Sequence, residues 1–177
     1  MTEISYKEKL NHIKTIILDV DGVLTDGSLI LLPTGEMVRT MNTRDGYAIK
    51  LAIEKGIKIA VISGGHDLAV VQRLKYLGLT DIYTKAIDKT EAFNDLLFSY
   101  GLQKNEIAYM GDDYPDIEVM KLVGLSSCPN DACMDVRRVA EYISPENGGK
   151  GCVRDLIEQI LKAQNLWYEN DSHVTSD

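Results

Sequence analysis

The stretch Lys14-Thr-Ile-Ile-Leu-Asp19-Val-Asp21-Gly22-Val-Leu-Thr-Asp-Gly27 decides the fold. Thr15 to Leu18 is a short apolar run rich in β-branched residues, and two acids and a glycine follow it at once. A continuous apolar run of this length predicts a strand buried on both faces, as in a parallel sheet. In open α/β sheets, ligands sit beyond the carboxyl ends of the strands. Asp19 and Asp21 therefore fall where chemistry is expected. Alternation along an extended chain places both carboxylates on one side, and Gly22 lets the backbone turn away. Unit like charges about 4 Å apart cost on the order of 4 kcal/mol near a protein surface. Protonating one acid or binding a cation relieves that repulsion. A solvated turn closing the strand explains Asp-x-Asp-Gly, taken alone, about as well.

Working outward, helical and strand patterns alternate. Ser5 to His12 reads as a short helix before the first strand. Leu29 to Leu32 and Met37 to Met41 read as two short strands joined by Pro33-Thr-Gly35, a hairpin signal. Helical spacing predicts helices over Asp45 to Lys55, Asp67 to Leu77, Lys89 to Tyr100, Ile117 to Val123, Asp131 to Val139 and Val153 to Gln164; the first four stop at Gly56, Gly78, Gly101 and Gly124. Ile57 to Ile62, Leu79 to Thr84, Ile107 to Met110, Leu125 to Ser127 and Tyr142 to Ile143 read as strands. Such alternation predicts an α/β fold: a doubly wound, Rossmann-like parallel sheet flanked by helices, with a small β-hairpin insertion. One domain is expected over 1–168, with a polar, disordered tail over 169–177.

The chain has 177 residues, of which 45% are hydrophobic and 26% charged, the composition of one soluble domain with a real core. The net charge of −8 argues against nucleic acid or an anionic membrane as partner, and it means that an anionic substrate needs a local cation. No run approaches the roughly 20 apolar residues of a membrane span, and Met1 to Lys14 has no signal-peptide core, so the cytoplasm is the expected compartment. Cys128, Cys133 and Cys152 are an odd number without zinc-finger spacing, and free thiols are expected.

Three more stretches carry chemistry. Val61-Ile-Ser63-Gly64-Gly65 ends a strand with a hydroxyl and open backbone N–H groups suited to a phosphate, although a plain loop with Ser63 as a cap is the commoner meaning of this stretch taken alone. Lys89 opens a helix, against the preference of the helix dipole for anions there. A residue placed against local preference marks function, although a solvent-facing Lys is the commoner case. Tyr109-Met-Gly111-Asp112-Asp113-Tyr-Pro-Asp116 repeats the logic of the first stretch, and its hard oxygen ligands suit Mg²⁺; an acidic N-cap is the plainer reading.

Taken in order, Asp19-Val-Asp21-Gly-Val-Leu-Thr-Asp-Gly27, Ser63, Lys89 and Gly111-Asp112-Asp113-Tyr-Pro-Asp116 resemble the four motifs of the haloacid dehalogenase superfamily of aspartate-nucleophile phosphatases. The resemblance covers about Ile13 to Gln164. It implies Asp19 as the nucleophile and Asp21 as the general acid and base. It further implies Ser63 and the nearby backbone of Gly64 as phosphate ligands, with Lys89 steadying the charge. Asp19, the backbone carbonyl of Asp21 and Asp112 are the implied Mg²⁺ ligands, and Asp113 and Asp116 match the acidic followers. The intervals between motifs leave no room for a cap domain, so the site is open.

Asn42-Thr-Arg44-Asp45-Gly46-Tyr47 and Gly148-Gly-Lys150-Gly-Cys-Val-Arg154 add a likeness to a capless subfamily, the 3-deoxy-D-manno-octulosonate 8-phosphate phosphatases. That likeness implies a small-molecule sugar phosphate as substrate. It also implies a homotetramer in which hairpins associate and a neighbouring subunit closes the site, with Arg44 and Lys150 as cations for the substrate. Ser63-Gly64-Gly65-His66 departs from the subfamily's usual Thr-Gly-Arg. Phosphatases for nine-carbon ulosonate 9-phosphates share the framework and are the alternative. A phospho-acceptor receiver module is the alternative of another class.

Overall fold

The computed structural model of the protein describes residues 5–167. Tyr6–Lys9 (α1) and a 3₁₀ turn over Leu10–His12 lead into Thr15–Leu18 (β1). Ile30–Leu31 (β2) and Met37–Val38 (β3) pair antiparallel, with Ile30 opposite Val38 and Leu31 opposite Met37. There follow Thr43–Glu54 (α2), Lys58–Ile62 (β4), Leu68–Tyr76 (α3), Asp81–Tyr83 (β5), Lys89–Tyr100 (α4) and Ile107–Met110 (β6). Ile117–Met120 (α5), Leu125–Cys128 (β7), Met134–Val139 (α6), Tyr142–Ile143 (β8) and Cys152–Ala163 (α7) complete the order.

Six strands form one parallel sheet in the order β5-β4-β1-β6-β7-β8. The doubly wound sheet and the hairpin insertion agree with the sequence reading, and α4, β6 and β8 have the expected bounds. Several elements are shorter than their apolar runs. Only two residues in each hairpin strand pair, because the hairpin stands alone and an isolated two-stranded ribbon gains little. α6 starts at Met134 rather than Asp131, since Pro129 to Ala132 is spent on a turn. α5 ends at Met120. The expected tail over 169–177 lies outside the described residues.

Strand alternation builds two cores. Ile16 and Leu18 of β1 pack under α2, α3 and α7, with Ile59, Val61, Ala108 and Met110 beside them. Ile17 faces the other way, with Ala60, Ile62, Ile107 and Tyr109, under α4, α5 and α6. Every residue of β1 is buried, as a central parallel strand requires. α7 buries Cys152, Val153, Leu156, Ile157, Ile160 and Leu161 at helical spacing. Each such large side chain contributes about 1.5–3 kcal/mol by leaving water. Gly151 precedes α7 and offers no side-chain cap, so Asp45 of α2 supplies one from a distance: its Oδ1 accepts the Arg154 N–H at 2.7 Å.

The register sets the site. Leu18 of β1 lies level with Val61 of β4 and with Met110 of β6. The three strands therefore end side by side at the centre of the sheet, where the order runs outward in both directions. Asp19, Ser63 and Asp112 leave these three ends, and α4 brings Lys89 from the second core layer.

Candidate active site

Asp19 is the first residue beyond β1 and is buried, with its Oδ1 accepting the Val20 N–H at 2.7 Å. Burial pushes its carboxyl up to about 6, the nearby Asp116 charge adds to that, and Lys89 opposes it. The backbone after Asp19 is not extended. It coils through Val20–Leu24 in a single wide turn, with Gly22 at φ 83°. The expectation of a straight strand through Asp21 is corrected here: the chain turns after Asp19, and the two acids, which line one cavity, meet different partners. Asp19 meets Lys89, with Nζ to Oδ2 at 2.9 Å, while Asp21 meets Arg39. The like charge that disturbs Asp19 is Asp116, not its sequence neighbour.

Gly22 serves a second purpose. A Cβ at this position would lie 2.0 Å from Oδ2 of Asp112. The glycine therefore allows both the positive φ and the close approach of the second acidic loop.

Lys89 is the first residue of α4, and Asp88 caps that helix by accepting the Thr90 N–H at 2.8 Å. Lys89 is buried, and its ammonium lies between Asp19 Oδ2 and Asp116 Oδ1, at 2.9 and 2.7 Å. Burial alone would lower its pKa, but the two carboxylates outweigh that and raise it, so the side chain carries its charge. The placement against the helix dipole is thereby explained: two anions hold the cation there.

Asp116 is fully buried and saturated. Its Oδ1 accepts from Lys89 Nζ at 2.7 Å and from the Tyr109 hydroxyl at 2.6 Å. Its Oδ2 accepts the Asp112 and Asp113 N–H groups at 3.1 and 3.3 Å. Asp113 caps the turn that follows by accepting the Tyr114 N–H. Asp112 is half-buried, and burial, then Asp19, Asp116 and Asp113, push its carboxyl up to about 7.

The geometry tests for a metal. Carboxylate oxygens of Asp19, Asp112 and Asp116 lie within 4.8 Å of one another. One ammonium faces three acids, and two of those acids resist ionising, so the cluster lacks positive charge. Asp116 already accepts four hydrogen bonds, which leaves Asp19 and Asp112 as the available ligands. Hard oxygen donors in a compact, few-carboxylate set fit Mg²⁺.

Ser63 is buried at the end of β4, and its Oγ accepts the Gly65 N–H at 3.2 Å. Ser63, Gly64 and Gly65 line a cavity of about 390 Å³ together with Asp19, Asp21, Lys89 and Asp112. The structure thus gathers Asp19, Asp21, Ser63, Gly64, Lys89 and Asp112 into one open cavity. Ile87, fully exposed, stands at its rim.

Arg44 and Lys150 are elsewhere. They line a separate cavity with Glu146, Arg154, Asp155 and Glu158. Lys150 pairs with Asp26 at 3.0 Å. Its loop is seated tightly, since a Cβ on Gly148 would lie 1.9 Å from the Gly22 carbonyl oxygen. The loop of Lys150 therefore packs on the turn that follows Asp19, but the cation does not line the cavity that holds Asp19 in its own chain. Arg39, which sequence reasoning passed over, is the cation beside Asp21. No local pattern marks it, because only the folding of the hairpin onto the N-terminus of α3 brings it there.

The fold and the site have known counterparts. A family profile described as haloacid dehalogenase-like hydrolase matches residues 75–156. The 3-deoxy-D-manno-octulosonate 8-phosphate phosphatase of Escherichia coli K12 is 39% identical over 156 residues, which cover 88% of this chain and 83% of that protein. The crystal structure of the phosphatase of that name from Yersinia pestis superposes with a TM-score of 0.89 at 36% identity, over 91% of this chain and 87% of that one. The Moraxella catarrhalis phosphatase of the same name, in complex with magnesium ion, phosphate ion and a KDO molecule, superposes with a TM-score of 0.88 at 35% identity, over 91% and 92%. With a buried aspartate just beyond β1, a buried lysine paired to it and an acidic β6 loop arranged on this sheet, and with this identity spread over most of both chains, the chain belongs to the haloacid dehalogenase-like hydrolases and is a phosphatase.

Proposed function

We propose that the chain is a Mg²⁺-dependent phosphomonoesterase that converts 3-deoxy-D-manno-octulosonate 8-phosphate to the free sugar acid and phosphate through an aspartyl phosphate. The observation that carries the reading is Asp19: a buried carboxylate held by Lys89 at the floor of an open cavity, beside the hydroxyl and backbone of the Ser63 loop. The names of the relatives support the eight-carbon substrate over the nine-carbon alternative. A receiver module would leave Asp21 without a task.

In this mechanism Asp19 Oδ attacks phosphorus as the bond to the sugar oxygen breaks. Asp21 gives its proton to that departing oxygen, then takes one from the water that cleaves the aspartyl phosphate. Lys89 keeps Asp19 aligned and offsets the anionic charge of the phosphoryl group. The Ser63 hydroxyl and the Gly64 N–H orient the phosphoryl oxygens. A Mg²⁺ held by Asp19 and Asp112, with the Asp21 carbonyl as a further ligand, would supply charge neutralisation between nucleophile and substrate.

The hairpin exposes Leu29, Ile30, Leu31, Leu32, Met37 and Val38 around a two-residue ribbon. An apolar patch of that kind marks an association surface. It supports a homotetramer built through hairpins, with Arg44 and Lys150 of one subunit serving the open cavity of the next. Among the described residues no helix is long and apolar enough to cross a membrane, and the acidic chain suits the cytoplasm. The described residues belong to one domain in this reading, the one expected over 1–168.

A panel of ulosonate phosphates assayed with Mg²⁺ tests the substrate. The eight-carbon 8-phosphate is expected to have the highest kcat/KM, and a higher value for a nine-carbon 9-phosphate would overturn the assignment.

A further inference from the structure

Arg39 follows β3 on a hairpin whose other side chains face solvent, yet only 10% of its own side chain is exposed. Its guanidinium forks Asp21, with Nε to Oδ1 at 2.7 Å and Nη2 to Oδ2 at 3.1 Å. Nη1 donates to Asp67 Oδ2 at 3.0 Å. Asp67 is itself fixed as the N-cap of α3, its Oδ1 accepting the Ala69 and Val70 N–H groups at 2.8 and 3.3 Å. Apart from Arg39, the Asp21 side chain has one long contact among the described residues, from Thr25 Oγ1 at 3.5 Å, and 41% of its surface is open.

Gly65 lies against the pair. A Cβ on Gly65 would lie 3.4 Å from Asp21 Oδ2 and 3.8 Å from Arg39 Nη2. These are ordinary contact distances, so the Ser63 loop runs directly beside the Asp21–Arg39 pair.

We infer that Arg39 is the positioning residue of Asp21: the hairpin supplies the cation that holds the acid-base carboxylate in one orientation at the cavity, braced by Asp67 at the start of α3. The inference rests on the reading of Asp21 as general acid and base. Proton transfer requires the carboxylate within hydrogen-bond reach of the departing oxygen, and a half-exposed aspartate with no partner would spread over several rotamers. A planar fork fixes both oxygens at once, and a point charge does not. Each carboxylate oxygen keeps a second lone pair for the proton. In the first half-reaction that proton passes from Asp21 to the bridging oxygen as the P–O bond breaks and the Asp19–phosphorus bond forms. In the second, Asp21 takes a proton from water as the water oxygen bonds phosphorus and Asp19 is released. Arg39 takes part in no bond change.

The test measures single-turnover phosphoryl transfer by the Mg²⁺-loaded enzyme from two donors. One is a sugar phosphate, whose alkoxide needs a proton to leave. The other is para-nitrophenyl phosphate, whose phenolate does not. General acids contribute about 10²–10⁴-fold, so Arg39→Ala is expected to slow the sugar phosphate about 10- to 100-fold. The aryl phosphate should slow less than threefold, and KM should stay within about threefold. Arg39→Lys should recover part of the sugar phosphate rate, and the fold of each variant is checked by thermal unfolding. Adding Arg39→Ala to Asp21→Asn should cost nothing further, because the residue being positioned is already disabled. Equal losses on both donors, no loss on either, or additive losses in the double variant would overturn the inference. If Asp21→Asn itself makes no distinction between the donors, the acid-base reading of Asp21 fails and the inference with it. If Asp21→Asn distinguishes them and Arg39→Ala does not, only the inference about Arg39 fails. Should Arg39→Ala not fold, Arg39→Gln and Arg39→Lys carry the same comparison.

Discussion

Lys89→Met removes one ammonium and keeps most of the side-chain length, so it isolates the electrostatics of the buried cluster. In the wild type the ammonium lies 2.9 Å from Asp19 and 2.7 Å from Asp116. At an effective dielectric of about 20, each contact is worth about 6 kcal/mol before desolvation is counted. Desolvation cancels much of this, and removing one partner of a buried pair costs about 3–5 kcal/mol in practice. The variant has a way to reduce that cost, which is to protonate a carboxylate. Asp19 already sits at about 6 and Asp112 at about 7, against 3.8 for an ordinary aspartate, and loss of the cation raises both further. A group whose folded pKa is raised contributes stability fully present below its unfolded pKa and lost as pH rises through the folded one. The cost of Lys89→Met therefore grows with pH: about 1–2 kcal/mol at pH 5 and about 3–5 kcal/mol at pH 8. Urea unfolding of wild type and variant at the two pH values, with chelator present to keep metal out, measures it. A cost that is the same at both values, or below about 1 kcal/mol at pH 8, would refute the reasoning.

Asp45 offers a second pH test, because burial raises its carboxyl to about 6 and leaves Oδ2 without a partner. Asp45→Asn keeps an acceptor for the Arg154 N–H and loses the buried charge, so it should stabilise the protein by up to about 2–3 kcal/mol at pH 8 and by nothing at pH 4; thermal unfolding that shows no pH dependence in the difference would contradict this. Gly22→Ala must force φ 83° on alanine and move Asp112, and kcat is expected to fall at least about tenfold with the fold retained; activity within twofold of wild type would be against it. Exhaustive chelation should stop turnover, Mg²⁺ should restore it, and Ca²⁺ should not, since its larger and looser shell misplaces the phosphoryl group; full activity in the chelated enzyme would exclude the metal.

Much of this protein follows from local pattern. The buried β1 run ends in acids, α2, α3 and α4 end at Gly56, Gly78 and Gly101, and parallel strands need crossover helices, so a doubly wound sheet is the natural arrangement of these segments. The same reasoning places Asp19, Ser63, Lys89 and Asp112 at strand ends and a helix start, because residue order alone sets which groups leave the sheet at its carboxyl edge. Charge partners are another matter. Asp21 lies two residues from Asp19, yet the wide turn over Val20–Leu24 directs its carboxylate to Arg39, 18 positions later. Asp116 looks like a helix cap in sequence, and it does close a capping box with Asp113, but only the fold makes it also the buried anchor of Lys89 and Tyr109. Asp45 caps a helix 109 positions away. Periodicity reports which face of an element is apolar, and it carries no information about which polar side chains from distant elements meet in a region of low dielectric. Packing decides that, and the low dielectric there is what makes each pairing strong and each unpaired charge costly.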